Sequence, residues 1–181
     1  MIGVTLTIGG PPGSGKSTLA RSLARILGRE YVSAGEIFRA EAAKRKLSLS
    51  EFGALAEKDE RIDLALDERM IAAAGPRQVL EGRIIGELLA RRRIPVFRIL
   101  ITAEERIRAQ RVQGRDGGSY EEVLSAMRIR EQTEARRYLR YYGINLSRMG
   151  FELVIDSTRL DPGQVVLRTL EGIPEEWKER A

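Results

Sequence analysis

Four residues near the start of the chain have the types and the spacing that bind a row of phosphates. Gly10, Gly15, Lys16 and Ser17 satisfy the pattern G-x-x-x-x-G-K-[ST]. In this pattern, glycines let backbone N–H groups turn towards a phosphate, the lysine ammonium reaches the terminal phosphate oxygens, and the serine hydroxyl can ligate Mg²⁺. The sequence therefore predicts a nucleotide-binding loop, the P-loop, formed by Gly10, Pro11, Pro12, Gly13, Ser14, Gly15, Lys16, Ser17 and Thr18.

The segments on either side of the P-loop agree with this interpretation. Residues 4–8 form a β-branched run typical of a buried strand, and residues 16–28 carry apolar side chains at helical spacing and end at Gly28. A strand, a glycine loop and a helix in this order bring the positive end of the helix dipole to a bound phosphate. An ordinary glycine-rich turn is the alternative, and the agreement of all three elements disfavours it.

The rest of the sequence alternates between strand and helix patterns, which favours a parallel sheet. Strand patterns lie at 30–33, 77–82, 95–102 and 151–157, and helical patterns at 35–46, 48–59, 61–75, 83–93, 103–113, 120–143 and 162–173. We predict an α/β fold, a three-layer P-loop NTPase fold with a five-stranded parallel sheet and helices on both faces, as a single domain over residues 1–181. Breaks at Gly114, Gly117 and Gly118 predict a mobile flap, and Trp177 in the polar tail is expected to dock on the body.

The composition narrows the chemistry. The chain has no cysteine and no histidine, which excludes disulfides, thiolate and imidazole metal sites, and serine–histidine relays. It has 26 arginines against 5 lysines and a net charge of +5, which favours phosphate ligands because a guanidinium group binds phosphate in a bidentate manner. The sequence has neither a run of eighteen apolar residues nor a basic leader, so we expect a cytoplasmic protein with no membrane partner.

Several arginines stand where a second, phosphorylated substrate would need them. Arg39 follows Gly35 by about one helical turn, and Arg83 comes just after a predicted strand. In the segment "REQTEARR", helical spacing puts Arg130 and Arg137 on either side of the carboxylate of Glu134. A solvated, salt-bridged helix face is the alternative for this last segment. A switch GTPase is disfavoured, because the sequence has no N-K-x-D base-recognition motif and no D-x-x-G motif after a strand.

Taken together, these segments resemble the nucleoside monophosphate kinases, and most closely the archaeal-type cytidylate kinases, from Val4 to about Ile173. "GGPPGSGKST" matches their P-loop, "SAGEIFR" resembles their monophosphate-binding segment, and "EGRIIG" resembles the G-R segment after the third strand. "RVQGR" has the Arg-x-x-x-Arg spacing with which the lid segment of related adenylate kinases begins. "REQTEARR" is similar to R-D-x-x-D-x-x-R of the cytidylate kinases. Residues of about 34–75 would be the monophosphate-binding insertion, and about 111–120 the lid.

The resemblance implies a role for each matching residue. Arg39 and Arg83 would bind the acceptor phosphate, with Gly35 and Gly82 in the same segments. Lys16, Arg83, Arg130 and Arg137 would be catalytic, the last two bridging the donor and acceptor phosphates. Arg111 would lie near the adenine of ATP, and Arg115 nearer its phosphates. Glu134 would contact the acceptor nucleoside. Ser17 would ligate Mg²⁺, and Glu81 would orient metal-bound water, although helix capping or an ion pair is an alternative for Glu81.

Two positions depart from the bacterial-type cytidylate kinases. Ile84 follows the G-R pair where those enzymes have aspartate, and Ala34 precedes the glycine where they have a hydroxyl residue. Ser33 is one position away and is the candidate to supply that hydroxyl. Asp63 in the helical insertion is a candidate contact to the base or sugar, with a surface helix carboxylate as the alternative.

The resemblance implies ATP- and Mg²⁺-dependent phosphorylation of CMP, with dCMP as a second acceptor, by a monomer in pyrimidine nucleotide metabolism. A kinase of another acceptor, such as AMP, UMP or a phosphate-free metabolite, remains open. A nucleotide-dependent module that binds RNA or DNA through "RRYLRYY" is the alternative from another class. We expect no nucleic-acid partner, because a helix with buried tyrosines and solvated arginines explains that segment better.

Overall fold

A parallel sheet of five strands forms the centre of the computed structural model, which describes residues 3–178. The strand order is β2-β3-β1-β4-β5, and the four strand pairs are parallel. The strands are β1 (Thr5–Gly9), β2 (Glu30–Ser33), β3 (Gln78–Glu81), β4 (Val96–Thr102) and β5 (Leu153–Asp156). The predicted α/β fold with a parallel five-stranded sheet is confirmed.

Eight α-helices lie among residues 3–178, and the predicted helical segments account for all of them. The helices are α1 (Lys16–Leu27), α2 (Ala34–Lys44), α3 (Leu49–Lys58), α4 (Arg61–Ala72), α5 (Ile85–Arg91), α6 (Glu105–Asp116), α7 (Tyr120–Tyr142) and α8 (Pro162–Gly172). Ser48 and Ser119 begin α3 and α7 with the capping boxes that their sequence spacing indicates. None of these helices is long and apolar enough to span a bilayer.

The hydrophobic core lies on both faces of β1, whose five residues are all buried. On one face, α1 and α8 pack against the sheet around Leu19, Leu23 and Val165. On the other face, Ile85 and Leu89 of α5 pack against β3. Helices on both faces of a sheet give the three predicted layers and hold the carboxyl end of β1, where the P-loop begins, between rigid elements.

Trp177 docks on the body of the protein, as predicted. Its ring meets Phe97 edge-on with ring centroids 5.2 Å apart, and its carbonyl accepts a hydrogen bond from Arg29. Residues 179–181 of the predicted polar tail lie outside the described residues.

The predicted helix break at Gly114 is wrong. Helix α6 continues through Gly114 to Asp116, and the chain turns only at Gly117 and Gly118, whose φ angles are +79° and +86°. A single glycine inside a helix costs about 1 kcal/mol, which the contacts of α6 with the rest of the protein can outweigh. The segment of the predicted lid is therefore mostly the last turns of a helix.

Gly86 and Gly53 offer a matched test of this packing. A Cβ at Gly86 of α5 would lie 2.7 Å from the Thr7 hydroxyl and 2.9 Å from Cγ of Arg98, so alanine must push α5 off the sheet. A Cβ at Gly53 of α3 would meet nothing within 4 Å. We expect Gly86→Ala to lower the free energy of unfolding by about 1–3 kcal/mol in urea titrations. Gly53→Ala should raise it by about 0.5–1 kcal/mol; equal effects would contradict this packing.

Candidate active site

The P-loop connects β1 to α1 and has no room for side chains at two of its glycines. Gly10, Gly13 and Gly15 have φ angles of +147°, +76° and +99°, a region that favours glycine. A Cβ at Gly10 would lie 2.1 Å from the carbonyl oxygen of Ile101, and one at Gly13 would lie 2.5 Å from that of Arg108. The loop is thus held against β4 and α6 in the conformation that the sequence motif predicts.

Lys16 lies over the P-loop. Its Nζ donates a hydrogen bond of 2.9 Å to the carbonyl of Pro11, and burial lowers the pKa of this ammonium group to about 8, against the opposing attraction of Glu81. The nearby Ser14 hydroxyl is fully buried and has no hydrogen-bond partner among the described residues. A half-buried cation in a glycine loop that also holds an unpartnered hydroxyl fits a bound anion.

Three hydroxyl groups within residues 3–178 donate hydrogen bonds to Glu81, at the end of β3. Ser17 donates to Oε1 over 3.0 Å, while Tyr31 and Ser33 donate to Oε2 over 2.5 and 2.9 Å. The parallel register explains this meeting, because Glu81 pairs with Ile8 of β1 on one side and with Ser33 of β2 on the other. Since Ser17 gives its proton to Glu81, its oxygen lone pairs remain free for a cation. Ser33 also caps α2 by accepting a hydrogen bond from the backbone N–H of Glu36.

Arg83, Arg130 and Glu134 form a charged group beside Lys16. The Nε of Arg130 donates to Glu134 over 2.7 Å, and the Nε of Arg83 lies 3.7 Å from the other carboxylate oxygen. The charges of Arg83, Glu134 and Arg130 all act on the pKa of Lys16. Residues of three separate sequence segments therefore interact in the structure: Lys16, Glu81 with Arg83, and Arg130 with Glu134.

Arg137 corrects the predicted arrangement of this helix. It does not flank Glu134; its Nε lies 3.2 Å from Oδ2 of Asp63 on α4, and its Nη1 donates to the carbonyl of Gly53 over 3.4 Å. Arg83 takes the expected place beside Glu134. The cause is a tertiary contact. Helix α7 packs against the helical insertion, where the long side chain of Arg137 reaches the buried carboxylate of Asp63. Asp63 is only 6% exposed, so its alternative interpretation as a surface carboxylate is also wrong.

Asp67, one turn after Asp63 on α4, is a site residue that the sequence interpretation missed. It is 8% exposed, and its Oδ2 accepts a 2.5 Å hydrogen bond from the Tyr142 hydroxyl on α7. Burial raises the pKa of Asp67 to about 6, although the Tyr142 hydrogen bond opposes this rise. The sequence does contain a signal for Asp67. Asp63 and Asp67 are four residues apart in a helix, and this spacing places both side chains on the same helix face, where they contact the same neighbouring element.

A cleft of about 420 Å³ opens on the other side of the P-loop. Its lining includes Gly15, Thr18, Arg111 and Arg115, together with Leu160 and Pro162 before and at the start of α8. Arg111 donates to the hydroxyl of Ser157 over 2.9 Å and to its carbonyl over 2.7 Å, and Arg115 forms an ion pair with Asp116. The roles predicted for Arg111 and Arg115 towards a nucleotide stay predictions. Sequence reasoning missed Ser157, Leu160 and Pro162, because no motif marks this connection.

Arg108 is another residue that the sequence interpretation missed, and it supports the P-loop from outside. The buried guanidinium donates to the carbonyls of Pro12 and Ala103, each over 3.1 Å, and forms an ion pair with Glu131 of α7. One side chain thus fixes the P-loop against α6 and α7. The only sequence signal for this contact was the presence of two glutamates in "REQTEARR". Glu134 was assigned to Arg130 and Arg137, so Glu131 needed a cation from another segment, and Arg108 is that cation.

The remaining predicted residues are Arg39, Gly35 and Gly82. Arg39 is exposed, lies near Gly35, and forms no ion pair within residues 3–178. A Cβ at Gly82 would stand 3.3 Å from that of Ala34, so this glycine permits the close approach of α2 to β3. Residues 3–178 hold no group of three or more carboxylates placed to bind a metal ion. A bound cation would therefore need ligands besides the Ser17 hydroxyl and the Glu81 carboxylate.

Comparison with known proteins agrees with this geometry. A family model described as an AAA domain matches residues 9–130. A cytidylate kinase from Methanothrix thermoacetophila is 43% identical over 159 residues, which cover 86% of this chain and 90% of that protein. One from Sulfurisphaera tokodaii is 39% identical over 163 residues, which cover 88% and 89%.

Solved structures show the same fold at lower identity. A crystal structure of a protein from Eubacterium ventriosum has a TM-score of 0.68 at 19% identity and covers 93% of this chain and 96% of that one. A shikimate kinase from Bacteroides thetaiotaomicron has a TM-score of 0.59 at 14% identity, with the same shares covered. Similarity at this level of identity concerns the fold alone.

Asp67 generates a pH-dependent prediction about stability. Its pKa is about 6 in the folded protein, against 3.8 for a free aspartate side chain, so the folded state binds the proton more tightly. The stability from this proton is complete below about pH 4 and is lost as the pH rises through 6. We expect Asp67→Asn to be more stable than the natural chain by about 2–3 kcal/mol at pH 7.5. Urea titrations should show this gain shrinking towards zero at pH 4, whereas Asp116→Asn, at an exposed carboxylate, should show no such gain. A gain independent of pH would contradict the assignment.

Proposed function

The chain belongs to the cytidylate kinases, and from this premise we propose that it transfers the γ-phosphoryl group of ATP to CMP, and to dCMP as a second acceptor, giving ADP and CDP or dCDP. The observation that carries the proposal is the pairing of Arg83 and Arg130 with one carboxylate, that of Glu134, in a group whose charges act on Lys16 of the P-loop. Phosphoryl transfer needs cations at such a point, because the donor and acceptor phosphates repel each other. Lys16, Arg83 and Arg130 supply these cations. The chain has no histidine or cysteine that could support acid–base or thiol chemistry instead.

The P-loop would bind the phosphates of ATP. The unpartnered hydroxyl of Ser14, the tight glycine backbone and the Lys16 ammonium fit a polyphosphate. Mg²⁺ would be held by the Ser17 hydroxyl and, through water, by Glu81, and when bound it supplies positive charge to the β- and γ-phosphates. The cleft beside Arg111 would receive the adenine, with Arg115 nearer the phosphates.

The acceptor would lie on the opposite side of Lys16. Arg39 and Arg83 would bind its phosphate, Arg130 and Arg137 would bridge towards the donor, and Glu134 would contact the nucleoside. The pocket would be completed by Ser33, Gly35, Asp63 and Gly82. Because Ser33 already donates to Glu81, its contribution would be to hold α2 and the metal-site carboxylate in register.

No strong general base is required, since the acceptor phosphate is an anion at neutral pH. Catalysis would rest on holding two phosphates in line and on stabilising the charge of the transferring group with Lys16 and the arginines. Water must be excluded to prevent hydrolysis of ATP. We assign that closure to the insertion at about 34–75 and to the lid at about 111–120, within a single domain that acts as a monomer in the cytoplasm.

The first prediction of this proposal concerns the acceptor. A coupled assay of ADP release, with ATP, Mg²⁺ and separate wells of CMP, dCMP, UMP, AMP, GMP and dTMP, should give its strongest response with CMP. Omitting the acceptor gives the background of ATP hydrolysis. A stronger response to another monophosphate would keep the kinase and replace the acceptor, and no response to any monophosphate would contradict the proposal. Salt-dependent RNA binding by such an inactive protein would support the nucleic-acid alternative.

The second prediction separates a phosphate-binding arginine from a merely exposed one. Arg130 and Arg136 both lie on α7 with exposed side chains, but Arg130 pairs with Glu134 and its charge acts on Lys16, whereas Arg136 pairs with Glu57. Arg130→Gln should lower kcat about 10²- to 10³-fold, the loss expected for one preorganised donor in the transition state. Arg136→Gln should leave kcat near that of the natural chain. Equal kinetics for the two variants would remove Arg130 from the site.

A further inference from the structure

Tyr31 of β2 carries a hydroxyl group that the hydrophobic core does not need. Its ring is half-buried and packs against the apolar cluster between the sheet, α1 and α8, a space that phenylalanine would fill equally well. The hydroxyl donates a hydrogen bond of 2.5 Å to Oε2 of Glu81. The register explains this contact, because Ser33 pairs with Glu81 and Tyr31, two residues earlier, shares its face of the sheet. The contact with Glu81 is thus what distinguishes tyrosine from phenylalanine at this position.

The hydrogen bonds of Glu81 are unequally divided between its two oxygens. Within residues 3–178, Oε2 accepts from Tyr31 and Ser33, whereas Oε1 accepts from Ser17 alone. A carboxylate oxygen has about two lone-pair positions for such bonds. Oε2 is therefore filled, and Oε1 keeps one position next to the Ser17 hydroxyl, where a cation with its bound water would lie.

Tyr31 supplies the bond that fixes the plane of this carboxylate. The terminal torsion of a glutamate side chain is broad, so the hydrogen-bond donors decide how the carboxylate is turned. Ser33 alone would leave Oε2 with an unused lone pair, and the Ser33 hydroxyl is also engaged as the cap of α2. The carboxylate would then be free to tilt towards Lys16, whose ammonium attracts the charge of Glu81.

Arg21 of α1 stabilises the position of the Tyr31 ring. Its guanidinium carbon lies 5.3 Å from the ring centroid, and the same side chain forms an ion pair with Glu36 of α2. A cation over the face of a phenol ring is attracted by the ring electrons. The core and Arg21 together hold the ring, so its hydroxyl is presented to Glu81 in a fixed direction, and a phenol keeps its proton at neutral pH.

We propose that Tyr31 is a positioning residue for the cation of the bound nucleotide: its hydroxyl fixes Oε2 of Glu81, so that Oε1 is turned towards the cation at Ser17. Residues that orient a metal-binding group from outside change metal affinity about 10- to 100-fold when they are lost. Tyr31 itself touches neither the nucleotide nor the metal in this arrangement. The inference rests on the proposed function and extends it from the carboxylate at the metal to the residue that orients this carboxylate.

Tyr141 of α7 provides the matched control. Tyr31→Phe removes only a hydroxyl group and keeps the ring, its packing and its contact with Arg21, so the variant is expected to fold. The Tyr141 hydroxyl also makes hydrogen bonds within the chain, to the carbonyls of Ala56 and Glu57 over 3.0 and 3.2 Å. Tyr141→Phe thus removes a tyrosine hydroxyl of the same kind that does not contact Glu81.

The experiment titrates Mn²⁺ into the complex of each protein with ADP and measures the bound metal by electron paramagnetic resonance. Mn²⁺ is paramagnetic and takes the same oxygen ligands as Mg²⁺. Tyr31→Phe should weaken Mn²⁺ binding about 10-fold, the low end of the loss expected for an orienting residue. Calorimetry should give the natural affinity for ADP in EDTA for both variants, and Tyr141→Phe should keep the natural Mn²⁺ affinity as well.

Unchanged Mn²⁺ binding in Tyr31→Phe would overturn the proposal. So would an equal loss in both variants, or a matching loss of ADP affinity in EDTA, which would indicate a disturbed nucleotide site. In the coupled assay, the Mg²⁺ concentration at half-maximal rate should rise in Tyr31→Phe while the KM for CMP stays unchanged. If the natural chain binds ADP and Mn²⁺ but phosphorylates no monophosphate, the proposed function fails, and the Mn²⁺ titration still decides the role of Tyr31.

Discussion

The site depends on one physical constraint: a buried carboxylate must be surrounded by donors, and Glu81 obtains its donors from separate elements. Ser17 of α1, Tyr31 of β2 and Ser33 before α2 all point their hydroxyl groups at it. An unsatisfied carboxylate at this depth would cost several kcal/mol, so the three elements are held in one register. The same contacts join the P-loop to the start of the helical insertion. A movement of α2 therefore acts on the orientation of Glu81 and, through it, on the Ser17 hydroxyl.

Arg108 applies the same principle from the opposite side of the P-loop. Its guanidinium satisfies the carbonyls of Pro12 and Ala103 and is itself satisfied by Glu131. The P-loop is thus fixed by Glu81 at its helical end and by Arg108 at its middle. A loop rich in glycine has high conformational entropy when free, and these contacts on both sides keep it in the one conformation that can bind phosphate.

Local signals were readable from the sequence, and contacts between distant segments were not. The P-loop and the capping boxes at Ser48 and Ser119 are determined by residues within a few positions of each other, so their patterns carry the geometry with them. The partners of Arg137 and Tyr142 lie 74 and 75 residues away in the chain, in helix α4. Helical spacing gives the face on which a residue lies but not the element that this face meets. The helix break predicted at Gly114 was wrong because the low helix propensity of one residue does not decide whether a whole helix continues.

Three arginines of the site are paired with carboxylates of this chain. Arg83 and Arg130 share Glu134, and Arg137 faces Asp63. Several guanidinium groups around a buried lysine would repel each other, and burial together with the charge of Arg83 already lowers the pKa of Lys16. The carboxylates reduce that repulsion and orient the guanidinium groups. An incoming phosphate then competes with Glu134 for cations that are already positioned, so its binding requires an exchange of partners rather than the ordering of free side chains.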